Sequence, residues 1–127
     1  MSAYFMTDVH THLYDEKFFR KNGKEDYSDL DEIIEQCQKQ SIGRIIVVAE
    51  EEESARRVVE LCQRYPNVIR GGIGLHPCCV KDQDQIKRVR DLVLQHQDLL
   101  CCIGEGTMSK YFRFNLVKWV LILHLAF

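Results

Sequence analysis

Arg44-Ile45-Ile46-Val47-Val48-Ala49 decides how this chain folds. Four β-branched residues in succession leave no polar face, which predicts a strand buried on both sides, as in a parallel sheet. Upstream, Leu30, Ile33, Ile34 and Cys37 hold the spacing of one helix face. Ser28 reads as its N-cap, Asp31 stands in capping-box position, and Gly43 suits the C-terminal stop. Downstream, Ala55, Val58, Val59 and Cys62 repeat the helical spacing until Tyr65-Pro66 ends it. A third strand follows over Val68–Leu75, a third helix carries Ile86, Val89 and Val93, and Leu99–Ile103 reads as a fourth strand. At the other end Tyr4-Phe5-Met6 opens a first strand that closes at His12, and residues 13–27 form a polar loop long enough to lie over a site. This alternation predicts an α/β fold with parallel pairing and right-handed crossovers.

A chain of 127 residues, 46% hydrophobic and 28% charged, fits one modest globular domain. Its net charge of -2 provides no field for nucleic acid, so such a substrate must be held by a local site or by metals. Cysteines 37, 62, 78, 79, 101 and 102 make no Cys-x-x-Cys, which argues against a zinc ribbon. They read as reduced thiols packed as small hydrophobes, with a disulfide framework the less favoured alternative. The N-terminus lacks the pattern of a signal peptide, so a cytoplasmic or nuclear location is expected. Gly71, Gly72 and Gly74 form no dinucleotide fingerprint and suit close packing or backbone approach near a site. Glu50–Glu53 reads as a solvated turn and a helix first turn favoured by the macrodipole, in preference to a metal site.

Chemistry concentrates at strand ends. In Asp8-Val9-His10-Thr11-His12 the two-residue strand period sends Asp8, His10 and His12 to one side. Two imidazoles beside a carboxylate form a divalent-metal site, the alternative being a pair of surface histidines near a turn. Gly74-Leu75-His76-Pro77 closes the third strand and Ile103-Gly104-Glu105 the fourth. Active sites of parallel α/β sheets lie beyond the strand C-termini, where His12, His76 and Glu105 all fall.

These three segments, in this order, resemble the TatD family of metal-dependent deoxyribonucleases, over roughly residues 5–105 and with most likeness to the third animal type. The resemblance implies the N-terminal half of a TIM (β/α)8 barrel and hydrolysis of DNA phosphodiesters by metal-activated water. It implies a zinc, magnesium or manganese site of one or two ions. It assigns His10, His12 and Glu105 as metal ligands, His76 to the substrate, and catalytic roles to Asp8 and Glu105. A related amidohydrolase or phosphoesterase is the neighbouring reading.

The pattern stops early. A full barrel needs about 250 residues. After Glu105 the family's Gly-Leu-Asp gives way to Gly106-Thr107-Met108-Ser109, and the later histidines and aspartate have no counterpart beyond His124 in an apolar stretch. Residues 1–106 therefore read as a partial barrel and 107–127 as a divergent apolar tail. Leu116–Phe127 is shorter than the roughly 20 residues of a membrane span. The tail reads as cover for the sheet edge or as sequence from another reading of the gene. At most one cation, impaired nuclease activity or a catalytically inactive binding form, and self-association through exposed sheet edges are expected.

Overall fold

The computed structural model describes residues 5–104. Their order is β1 (Met6–Thr11), a hairpin of β2 (Arg20–Lys21) and β3 (Lys24–Glu25), α1 (Ser28–Lys39), β4 (Ile42–Val48), α2 (Glu52–Arg64), β5 (Ile69–Gly72), α3 (Gln83–Gln95) and β6 (Leu100–Cys102). Single 3-10 turns occupy Glu16–Phe18, Pro77–Cys79 and Gln97–Leu99. The four longer-range strands pair in parallel in the order β1-β4-β5-β6. Because each strand lies beside the next one made, right-handed crossovers put every helix on the same face. That is the layering of a barrel segment; a doubly wound sheet reverses direction at a switch point.

Ile45 and Val47 of β4 are fully buried in the helix-side core with Leu30, Ile34, Ala55, Val58 and Cys62. The expectation of burial on both faces of this strand holds only in part. Ile46 is half-buried and lines, with Thr7, Arg44, Arg70 and Cys101, a concavity of about 740 Å³ on the opposite face. The helix-side packing depends on glycine at one point. A Cβ on Gly71 would stand 2.6 Å from Leu100 Cδ2 and 2.8 Å from Val58 Cγ1, so β5 approaches α2 and β6 only without a side chain there.

Several local expectations change. The polar segment 13–27 folds into a hairpin turned by Asn22 and Gly23, both at positive φ (51° and 74°), the turn chemistry of a tight hairpin. It packs on the helical layer: Phe19 is buried, stacks on Tyr27 at 5.6 Å and lies under the Arg57 guanidinium at 4.8 Å. Ser28 is the first residue of α1, so the N-cap position falls on Tyr27, which makes no side-chain cap, and the Ser28 N–H donates to Asp26 Oδ1 at 2.9 Å. The left-handed turn after α1 falls on Ser41 (φ 64°). Gly43 lies inside β4, where a Cβ would meet the Phe5 ring at 2.8 Å. Tyr4 and residues 105–127, with Glu105, His124 and the apolar tail, lie outside the described residues.

The four-acid run does form the entry to α2. Glu52 in its first turn accepts from Arg56 at 3.0 Å and from Arg88 of α3 at 2.8 Å, joining the two helices. Ser54 Oγ receives the N–H groups of both Glu50 and Glu51 at 3.0 Å.

Two predictions follow from this packing. Gly71→Ala should lower unfolding free energy by about 1–3 kcal/mol in urea titrations, because the methyl overpacks a filled site. Arg88, then Arg56, holds the Glu52 carboxyl below its ordinary value of 4.5. Its contribution is therefore present above that pH and fades as acid protonates the folded state. The melting-temperature gap between the parent and Glu52→Gln should be widest near about pH 7 and close towards about pH 3.

Candidate functional site

The β1–β4 ladder is irregular where it matters. Asp8 aligns with Ile45 and Thr11 with Val47, three steps on one strand against two on the other. This bulge interrupts the strict alternation expected across Asp8, His10 and His12, and bulges re-aim side chains. Asp8 registers with the helix-side residue Ile45; its carboxylate is exposed and its Oδ1 accepts the His10 backbone N–H at 3.2 Å. His10 and His12 remain together, with ring centroids 5.0 Å apart and planes at 80°.

His12 is oriented by the neighbouring strand. Its Nδ1 lies 3.0 Å from the Val48 carbonyl oxygen. A carbonyl only accepts, so Nδ1 carries the proton, and in the neutral ring Nε2 keeps its lone pair. An imidazole fixed in this way through its second nitrogen is the arrangement found behind metal-ligating histidines. Thr11 Oγ1 donates to Ile46 C=O at 3.2 Å and pins the same strand end.

The rim continues through two residues that the sequence reading left aside. The Tyr14 ring meets His12 edge-on at 5.5 Å, and its hydroxyl donates to Glu50 Oε2 at 3.1 Å. Glu50 C=O accepts the His76 N–H at 2.7 Å, tying the exits of β1, β4 and β5 together. Glu50 had been grouped with the acidic run; its place two residues past β4 was the available signal. Tyr14 lay in a segment read as loop.

His76 adopts the opposite tautomer. Its Nδ1 accepts the Cys78 N–H at 3.2 Å, capping the 3-10 turn, so Nε2 bears the proton and is a donor. His10 and His12 are thus brought together, and His76 joins their rim through Glu50. Gly104 donates its N–H to Ile73 C=O at 3.2 Å, so the backbone leading to Glu105 runs beside the exit of β5.

Among the described residues no group of three or more His, Cys, Asp or Glu side chains is arranged to hold a metal ion. The two imidazoles fit one half of such a site, and Glu105, the expected third donor, is outside the described residues. The large concavity on the inner face belongs to the other end of the sheet. There Arg44 and Arg70 bond the Asn67 and Asp98 carbonyls at 2.7 and 2.8 Å. All six cysteines are free thiols. Burial pushes the Cys62 thiol up to about 12, as expected of an inert packed sulfur. No helix among the described residues is long and apolar enough to cross a membrane.

Comparison with known proteins agrees with this geometry. Residues 7–114 match the family described as TatD related DNase. The human protein named Deoxyribonuclease TATDN3 is 27% identical over 109 residues, covering 79% of this chain and 36% of that protein. The Mus musculus TATDN3 protein is 26% identical over 108 residues, covering 79% of this chain and 34% of its own length. The chain thus spans about a third of the length of these curated relatives. The crystal structure of a TatD family hydrolase from Entamoeba histolytica superposes with a TM-score of 0.69 at 19% identity, covering 100% of this chain and 48% of that one. A parallel α/β fold with its helices on one face, a family match over most of its length and paired histidines at the expected strand end together place this chain in the TatD-related DNase family.

Proposed function

We propose that this chain presents the N-terminal half of the catalytic face of a TatD-type hydrolase that cleaves DNA phosphodiesters with a divalent cation. The observation that carries the reading is the Val48 carbonyl fixing His12 with its Nε2 lone pair free, 5.0 Å ring to ring from His10. His10 and His12 would hold zinc, magnesium or manganese, with Glu105 completing a His₂Glu donor set. Such a cation supplies Lewis acidity that activates water and offsets phosphate charge. His76, a donor at Nε2, would bind a phosphate oxygen. Asp8 holds the His10 backbone and, with Glu105, would handle protons as the resemblance implies. Tyr14, held by Glu50, braces the His12 ring edge-on. DNA as the substrate class is supported by the name of the human relative, a deoxyribonuclease.

A second reading is that the isolated chain binds without turning over, because the sequence after Glu105 departs from the family pattern. At most one cation is expected on this chain, with activity correspondingly low. Self-association is supported by β1, which leaves Phe5, Met6 and Val9 at 70, 57 and 66% exposure on the edge strand.

The test is cleavage of single-stranded DNA by the purified chain with magnesium, manganese or zinc, and with a chelator. Weak, chelator-sensitive cleavage that falls by about 10–100-fold or more in His12→Ala is expected, from the effect of disturbing a metal-ligand shell. Cleavage that survives both the chelator and the loss of His10 and His12 would overturn it. Metal-dependent DNA binding without cleavage would favour the second reading. Light scattering should find dimers or larger species, and Val9→Lys should shift them towards monomer; a sharp monomer peak for the parent chain counts against self-association.

A further inference from the structure

The ladder between β5 and β6 also carries one residue too many. Gly71 aligns with Leu100 and Gly72 with Cys102, so Cys101 is the extra residue. In a regular strand adjacent side chains leave on opposite faces, and a bulge breaks that rule. Here it sets both sulfurs against the same Gly71-Gly72 step of β5. Cys101 Sγ also donates to the Gly71 carbonyl at 3.6 Å. Cys102 Sγ fills the space over Gly72, 2.7 Å from where a Cβ would stand. Both residues are half-buried, and Cys101 lines the inner-face concavity.

We propose that Cys101 and Cys102 form a bidentate site for a soft, thiophilic centre with two valences to fill, the class of the monosubstituted trivalent arsenicals. Soft sulfur donors select soft partners. No third His, Cys, Asp or Glu joins them in a metal-holding group among the described residues, which argues against four-coordinate zinc. The Cys102 donor and the Arg70 charge draw the Cys101 thiol down to about 7, which provides thiolate near neutral pH, while Cys101 pushes Cys102 up, so that Cys102 enters as the thiol. Cys62 is buried, and burial raises Cys79. Cys78 and Cys79 lie on a 3-10 turn, where neighbours diverge by about 120°.

With an arsenoxide, R–As=O, the Cys101 sulfur attacks arsenic first and the Cys102 sulfur closes the ring. Two S–As bonds form, the oxygen departs as water with both thiol protons, and arsenic keeps its oxidation state. The probe is phenylarsine oxide on the folded 127-residue chain, read by intact mass and tryptic mapping. One adduct per chain is expected, stable to excess glutathione and removed by 2,3-dimercaptopropanol. It should map to the peptide 91–110, whose only cysteines are Cys101 and Cys102, and should be lost in Cys101→Ser and in Cys102→Ser. The mapping on the parent chain reads the site even where a serine variant folds poorly. No adduct, an adduct on the peptide 71–81 that holds Cys78 and Cys79, or one that persists in either serine variant would overturn the assignment.

Discussion

The parallel pairing of β1 against β4 is the constraint from which the rest of the molecule takes its arrangement. β4 is hydrogen-bonded on both sides, to β1 and to β5, and its helix-facing residues Ile45 and Val47 anchor the core under α1 and α2. Everything at the C-terminal rim is positioned relative to it. Val48 receives His12, Glu50 receives both Tyr14 and His76, and the Ala49 N–H reaches Gly72 at 2.8 Å. A strand interior with no polar residue between Ile45 and Val48 is what allows one backbone to serve two neighbours without competition from its own side chains.

Much of this was legible in the sequence, for identifiable reasons. The β-branched run of β4 and the i, i+3, i+4, i+7 spacings of α1, α2 and α3 depend on burial of one face, which periodicity reports directly. Strand-end placement of His10, His12 and His76 followed from the topology of alternating elements. What escaped was set by register and by short-range geometry. The β1 bulge, invisible in a strict period of two, interrupts the alternation between Asp8 and the histidines. The Asn22-Gly23 hairpin was hidden in a stretch too polar to read as strand, and its anchor, Phe19, is buried by cation and ring contacts with no periodic signature. Gly43 matched a helix stop in sequence, but the room it leaves is for a ring that arrives from β1.

The two histidines with assigned tautomers show how backbone groups distribute chemistry along one rim. A carbonyl behind His12 makes it a lone-pair donor, while an N–H behind His76 makes it a proton donor. Neither state needs a charged neighbour. The surrounding secondary structure sets both, so the division of roles is as robust as the strands that carry it.

Sequential strand order has a further consequence, for how the chain comes off the ribosome. Each βα unit docks against an edge that was synthesised just before it, so among the described residues no strand of the parallel sheet has to wait for a distant partner. Loop-closure entropy stays small at every step, and assembly can proceed vectorially, one repeat at a time, in the direction of translation.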